Sequence, residues 1–99
     1  MKFIINDLKY DTDKMEKIVN VKKWYATNNA LIRAMYNGLE VGQEYTCELW
    51  KSKKGNYLLT HDQDYSHKGE AISEEEAMEL IKKYALTKYE EIFGEIEKA

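Results

Sequence analysis

The feature that most constrains the fold is the regular alternation of side chains between Glu44 and Lys51. Tyrosine, cysteine and leucine occupy one face of this segment, and threonine, glutamate and tryptophan occupy the other, which is the period of a β-strand. Tyr57 to Thr60 has a matching strand pattern. The polar residues 52–56 include Gly55 at a position that favours positive φ, so they predict a hairpin loop between the two strands.

The N-terminal part of the chain predicts a second hairpin followed by a short helix. Residues 2–5 alternate, residues 6–7 suit a tight turn, and the chain returns through residues 8–10. Three residues that can cap a helix then precede apolar residues at helical spacing, which predicts a helix from Asp13 to Asn20. Val21 to Tyr25 is rich in β-branched and aromatic residues, so this segment is open between helix and strand.

A second helix is predicted in the middle of the chain. Asn28 or Asn29 can cap it, and Gly38 supplies a left-handed stop after its last turn. Its apolar stripe comprises Leu31, Ile32, Met35 and Tyr36. Further along, His61 to Glu70 is polar and contains a glycine, so a loop is expected there.

The C-terminal third predicts two successive helices. Ser73 and Glu76 form a capping box, and Thr87 and Glu90 form another, so we expect the chain to restart as a second helix. Gly94 lies inside that second helix and weakens its last turn. The residues expected to face the core are Ala77, Leu80, Ile81, Tyr84 and Ala85 in the first helix and Tyr89, Ile92, Phe93 and Ile96 in the second.

These elements predict a single α+β domain over residues 1–99, since a chain of this length lacks the apolar volume for two cores. We expect a small antiparallel sheet built from two β-hairpins, with short helices and a C-terminal helix pair. No apolar run is long enough to span a bilayer and no signal peptide is recognisable. Cys47 is the only cysteine, which excludes an internal disulfide and a cysteine-rich zinc site. A cytoplasmic location is therefore expected.

Charge is unevenly distributed along the chain. Residues 1–69 hold 11 lysines and arginines against 9 acidic residues, whereas residues 70–99 hold 4 lysines against 9 glutamates, and the whole chain carries −3. A general nucleic-acid binder normally has a clearly basic face, so at most weak contact with nucleic acid is expected. The acidic C-terminal part is the more unusual feature.

The sequence favours a binding protein over an enzyme, with no cofactor. Cys47 shares a strand face with Tyr45 and Leu49, which favours a buried small hydrophobe over a nucleophile. No nucleophile elbow or phosphate-binding glycine loop is present. One cluster has metal-ligand residue types and leaves a metal-dependent hydrolase as a third, weaker hypothesis: His61, Asp62, Asp64 and His67. Solvated loop residues are the favoured interpretation of this cluster, so no metal is expected.

Two sets of residues are candidates for contact with a partner. Lysines crowd the central hairpin tip beside two aromatic rings and could hold a phosphate backbone and a base: Trp50, Lys51, Lys53, Lys54 and Tyr57. Lys22 and Lys23 before Trp24 and Tyr25 have a similar composition. The glutamates of the C-terminal helices could present carboxylates to a basic groove, and those left free of capping roles are Glu79, Glu91, Glu95 and Glu97.

Several short motifs, taken together, resemble a group of small proteins carried on phages, plasmids and conjugative elements of Firmicutes. The motifs are Ile4–Asn6, Tyr10–Thr12, Leu49–Lys51, Lys53–Leu58 (KKGNYL), Ile72–Ala77 (ISEEEA) and Tyr89–Glu95 (YEEIFGE). Some proteins of this kind are anti-CRISPR inhibitors of the RNA-guided nuclease Cas9. The group commonly has a Gly-rich segment where this chain has His61 to Lys68.

The resemblance implies that the chain is an anti-CRISPR-like inhibitor that binds Cas9 or its guide-RNA complex without catalysis of its own. A Cas9-type enzyme has a basic channel for its heteroduplex, which a small acidic protein could block. The alternative is a nucleic-acid-binding accessory or regulatory protein of a phage or mobile element, led by Trp50, Lys51, Lys53 and Lys54.

Overall fold

The computed structural model describes residues 1–27, 30–35 and 41–99. The predicted caps at Asn28 and Asn29, the stripe residue Tyr36 and the stop at Gly38 lie outside the described residues. The elements are β1 (Lys2–Ile5), β2 (Leu8–Asp11), a 3₁₀ turn (Thr12–Lys14), β3 (Glu16–Ala26), α1 (Ala30–Met35), β4 (Gly42–Lys51), β5 (Tyr57–Gln63), β6 (Ser66–Ile72), α2 (Glu74–Tyr84) and α3 (Leu86–Phe93). No helix in this part of the chain has the length and apolar character needed to cross a membrane.

The predicted α+β class is confirmed. Strands β3 to β6 form one antiparallel sheet in the order β3-β4-β5-β6, and β1 pairs with β2 in a separate two-stranded sheet. The central hairpin has the predicted strands, with Gly55 at φ 85° in its loop. The N-terminal hairpin is also confirmed, and its turn residues Asn6 and Asp7 have φ of 51° and 63°.

The predicted helix from Asp13 to Asn20 is wrong, because the chain there makes one 3₁₀ turn and then enters β3. The apolar residues of this segment have helical spacing because the strand has a register shift, a β-bulge, between Lys17 and Val19. In a regular strand, residues three apart point to opposite faces. The bulge allows Ile18 and Val21 both to be buried, at 6% and 1% exposure.

The predicted loop from His61 to Glu70 is also wrong. The segment completes β5, turns at residues 64–65 and returns as β6, with register from Gln63↔Ser66 to Tyr57↔Ile72. Because β6 is an edge strand, most of its side chains are exposed or half-buried and the apolar alternation is absent. Glycine occupies position 69 of this strand because a Cβ there would lie 2.7 Å from the Phe3 ring, which is too close.

Helices α2 and α3 are the predicted C-terminal pair, with two corrections. Ser73 caps α2 by accepting a hydrogen bond from the Glu76 N–H, as predicted. The second capping box is wrong, since α3 starts after Ala85 without a side-chain cap and Thr87 lies inside its first turn. Gly94, at φ 96°, ends α3, so Ile96 lies beyond the helix and is 42% exposed.

The core lies between the helix pair and one face of the sheet. Its buried members are Ile18, Val21, Cys47, Leu49, Tyr57, Leu59, Ala77, Ile81 and Tyr89. Cys47 is fully buried, as its strand position predicts. Two residues of the predicted apolar stripe of α1 do not join this core, since Leu31 is 70% and Met35 71% exposed.

The four-stranded sheet splits into two ribbons at one end. β4 and β5 pair only between Glu48–Lys51 and Tyr57–Thr60. Beyond that point, β4 continues with β3 alone and β5 continues with β6 alone. The helices cover the joined end of the sheet, and polar side chains fill the space between the ribbons.

Candidate functional site

A groove lined by lysines runs between the N-terminal segment and the tip of the central hairpin. It consists of two adjoining open depressions of about 900 and 410 Å³. Lys14, Met15, Ser52 and Lys53 line both of them. We call this surface the lysine groove, and its lysines are Lys9, Lys14, Lys51, Lys53 and Lys54.

The local folding of two turns positions these lysines. On one side, Asp11 caps the 3₁₀ turn by accepting from the Asp13 N–H, which places Lys14 at the rim. On the other side, the Ser52 side chain accepts from the Asn56 N–H and closes the hairpin loop that carries Lys53 and Lys54. The groove is therefore bounded by two hydrogen-bonded turns.

The electrostatics of the lysine groove favour an anion. Five lysines line it against three carboxylates, those of Asp11, Asp13 and Glu16. Within the described residues none of the five ammonium groups forms a salt bridge, whereas Lys17, Lys23 and Lys82 elsewhere do. Four of the five lysines are exposed and Lys51 is half-buried. Unpaired ammonium groups on a concave surface are the usual means of holding phosphates.

The structure brings Lys51, Lys53 and Lys54 together but gives their aromatic neighbours different surroundings. Tyr57 is only 3% exposed and belongs to the core, so its ring has no free face for a base. Trp50 is half-buried, and its indole N–H donates to the Thr60 hydroxyl at 2.9 Å. The groove therefore suits contacts to a phosphate backbone better than stacking of bases.

The glutamates singled out from the sequence are all exposed. Glu79 lies on α2, where its carboxylate is 3.8 Å from the Lys82 ammonium group. Glu91 lies on α3, and Glu95 and Glu97 follow the glycine that ends this helix. The four glutamates expected to meet a partner are therefore distributed over two helices and the segment after them.

The space between the two ribbons holds a polar cluster that the sequence did not reveal. The Glu70 carboxylate accepts from the Lys23 ammonium group at 3.0 Å and from the Tyr25 hydroxyl at 2.9 Å. The Tyr25 ring stacks on His61 with centroids 4.1 Å apart, and Tyr45 lies against the same imidazole at 5.2 Å. Glu70 and Lys23 lie on the two edge strands, so their contact closes the ribbons over the cluster.

The proton on His61 can be assigned from its neighbours. The Gln63 side-chain nitrogen donates to the Ala26 carbonyl, which fixes the Gln63 oxygen as the acceptor for His61 Nε2 at 2.9 Å. His61 Nε2 therefore donates to Gln63, and within the described part of the chain the buried Nδ1 has no hydrogen-bond partner. The Nδ1 atom is buried and is not accessible from the adjoining cavity of about 280 Å³. A ligand in that cavity therefore could not bind directly to Nδ1. The cluster therefore has a structural role: it links the two edge strands of the sheet.

The phenol of Tyr25 in this cluster and the thiol of Cys47 are held in their protonated forms. Burial, followed by the hydrogen bond to Glu70, raises the pKa of the Tyr25 phenol far above its usual value. Burial also raises the pKa of the Cys47 thiol. A nucleophilic thiolate needs the opposite shift, so the environment of Cys47 favours an inert thiol.

The residues proposed as metal ligands point in different directions. His61 lies in the cluster between the ribbons, whereas Asp62 and His67 face each other on the opposite side of the sheet and form a hydrogen bond. Asp64 is in the turn. Among the described residues no group of three or more histidine, cysteine or acidic side chains is arranged to hold a metal.

Two features of these sites are not encoded by any local pattern in the sequence. Lys9 and Lys14 join the hairpin lysines through the tertiary packing of two turns, and Glu70 joins Lys23 and Tyr25 across 45 residues or more. Only the concentration of lysines at residues 51–54 was visible locally.

Comparison with known proteins adds no relative: no family model matches the chain, and neither the curated proteins nor the solved structures contain a match.

Proposed function

We propose that this protein is a binder that acts in the cytoplasm of a bacterial host, without chemistry of its own, on a Cas9-type nuclease carrying its guide RNA. The lysine groove is the observation that carries the binding part of the proposal. The motif resemblance supports the choice of partner. An RNA-guided nuclease combines phosphate-rich RNA with basic protein channels, so it offers partners for both charged surfaces of this chain.

The lysine groove would contact phosphates of the guide RNA. Its five ammonium groups are free of salt bridges within the described residues, so binding an anion there breaks no internal ion pair. Phosphate contacts position a protein without reading sequence. This mode fits a groove in which Tyr57 is buried and Trp50 is engaged by Thr60.

The acidic surface of Glu79, Glu91, Glu95 and Glu97 would contact the basic protein channel. All four side chains are exposed, and among the residues that the structure describes only Glu79 of these four forms a salt bridge, at 3.8 Å from Lys82, a distance typical of a weak surface pair. Complementary charge mainly raises the association rate and the selectivity for a partner. Occupying the channel would stop cleavage by exclusion of the DNA.

A cleavage assay with purified components tests this proposal. Cas9 and its guide RNA are incubated with increasing amounts of the protein before target DNA is added. We expect cleavage to fall as the protein approaches a molar excess, and to recover when Glu79, Glu91, Glu95 and Glu97 are all changed to Gln. Undiminished cleavage at saturating protein, across several Cas9 orthologues, would contradict the proposal.

The lysine groove itself favours a second candidate, an accessory protein of a mobile element that binds nucleic acid directly. This candidate predicts salt-dependent binding to DNA or guide RNA alone, weakened when Lys51, Lys53 and Lys54 are changed to Ala. An electrophoretic mobility shift at low salt separates the two candidates. Binding to free nucleic acid without inhibition of cleavage would favour the accessory protein.

A further inference from the structure

The turn between β5 and β6 has an unusual residue at its tip. Asp64 and Tyr65 both have left-handed backbone conformations, with φ of 53° and 62°. The turn between β1 and β2 has the same conformations at Asn6 and Asp7, with φ of 51° and 63°. Asparagine and aspartate tolerate this region, and glycine adopts it most easily, whereas a bulky aromatic residue is strained there.

Folding does not account for the tyrosine. Its side chain is fully exposed, at 111% of the reference value, so the ring gains no burial that would offset the strain. A strained backbone conformation that no burial of the side chain offsets points to a role outside the fold.

The hairpin presents this ring on a rigid support. The β5–β6 register runs up to the Gln63↔Ser66 pair beside the turn, and the Ser66 hydroxyl donates to the Gln63 carbonyl at 3.1 Å. One pair further from the tip, Asp62 and His67 are joined by a hydrogen bond. The backbone that carries the ring is held this way and loses little further freedom on binding, so that only the side-chain rotamer has to be fixed, which suits an interface anchor.

The charges around the tip indicate the kind of partner. Asp64, the neighbour of Tyr65 in the turn, has an exposed carboxylate; the exposed carboxylate of Asp62 is bonded to His67, and Lys68 is the one lysine of the hairpin. Two carboxylates in the end of the hairpin disfavour stacking of the ring on a base in a polyanion. They favour basic side chains around a protein pocket, while an apolar pocket wall accommodates the ring.

We propose that Tyr65 is an anchor that inserts into a protein pocket with apolar walls and basic side chains at its rim. The inference rests on the proposed function, in which that pocket belongs to the nuclease, and it adds a contact separate from the lysine groove and the acidic helices.

Affinity for the Cas9–guide RNA complex, measured together with the melting temperature, tests this inference. We expect Tyr65→Gly to bind about tenfold more weakly or worse and yet to melt at a higher temperature, since glycine relieves the strain. The matched control is Asp7→Gly, which makes the same kind of change at the same position of the other turn. It should also melt higher and should bind like the wild type.

The outcomes separate this inference from the proposed function. If the wild type binds the complex and Tyr65→Gly binds within twofold of it, the anchor is overturned and the proposed function stands. A melting temperature of Tyr65→Gly at or below that of the wild type would overturn the premise of strain. An equal loss of affinity for guide RNA alone would assign the ring to a nucleobase and overturn the protein pocket. If the wild type binds no nuclease complex, the proposed function fails and the anchor fails with it.

Discussion

At the scale of single residues, Glu70 has the most consequential position. Its carboxylate on one edge strand accepts hydrogen bonds from Lys23 and Tyr25 on the other edge strand. No backbone hydrogen bonds join these strands, because two other strands lie between them. The side-chain contacts therefore hold the open end of the sheet closed over His61.

We expect Glu70→Ala to lower the free energy of unfolding by about 1–2 kcal/mol, since it removes two charge-assisted hydrogen bonds at a partly exposed site. Urea denaturation measures the change. The matched control is Glu79→Ala, which removes a carboxylate that is 78% exposed and should change stability by less than about 0.5 kcal/mol. Equal effects of the two substitutions would contradict the closure role.

Tyr25 gives the same cluster a signature at high pH. The unfolded phenol ionises near its ordinary pKa of 10.0, whereas the folded phenol, buried and bonded to Glu70, has a raised pKa and keeps its proton. Above that pH the unfolded state binds fewer protons, so the free energy of unfolding falls as pH rises. We expect Tyr25→Phe to show a shallower fall between about pH 10 and 11.5 in urea denaturation. A slope for Tyr25→Phe that matches the wild type would show that Tyr25 ionises alike in the folded and unfolded protein.

Cys47 tests the burial of the core directly. Its side chain has no exposed surface, and burial raises the pKa of its thiol. We expect a thiol reagent such as DTNB to label the native protein only very slowly at neutral pH and to label one thiol rapidly in concentrated urea. Rapid labelling of the native protein would contradict the buried, protonated thiol.

At the scale of elements, the start of each C-terminal helix differs in its capping. Ser73 accepts from the Glu76 N–H at the start of α2, but Thr87 lies within α3. We expect Ser73→Ala to cost about 1 kcal/mol of stability and Thr87→Ala to cost less than about half of that. Urea denaturation of the two variants is sufficient. A larger loss of stability for Thr87→Ala than for Ser73→Ala would indicate that Thr87 does cap α3.

Elements defined by local patterns were predictable from the sequence. The central and N-terminal hairpins and the capped start of α2 follow from alternation, turn residues and a capping box within a few positions. The first half of strand β3 was not predictable, because the bulge near Lys17 gives its buried residues a helical spacing, whereas the composition of residues 21–25 left a strand open. Strand β6 was not predictable either, because an edge strand needs little apolar alternation. The glycine at position 69 is explained only by its contact with Phe3, which is far away in the sequence.

The sites were less predictable than the elements. The lysines at residues 51–54 were identifiable, but their grouping with Lys9 and Lys14 depends on how the 3₁₀ turn packs beside the hairpin. The links from Glu70 to Lys23 and Tyr25 span 45 residues or more, which no local pattern encodes. The role proposed for Tyr65 depends on its left-handed backbone conformation and its full exposure, and the sequence pattern predicted neither of them.

At the scale of the whole molecule, positive and negative charge occupy different parts of the fold. The lysine groove lies at the tip of the central hairpin, whereas residues 70–99 carry nine glutamates against four lysines. Such a separation suits a partner that itself combines an anionic and a basic surface. The groove is the part of this account that can be tested without knowing the full interface.

The most direct test is the equilibrium affinity of the protein for the Cas9–guide RNA complex, measured from about 50 to 200 mM salt. The test variant reverses three groove lysines (K9E, K53E, K54E). The matched control reverses three exposed lysines outside the groove (K2E, K22E, K98E), so that both variants have the same net charge. We predict that the groove variant binds at least about tenfold more weakly with a shallower salt dependence, while the control stays within about threefold of the wild type. Equal affinities of the two variants, or no binding by the wild type, would contradict the account.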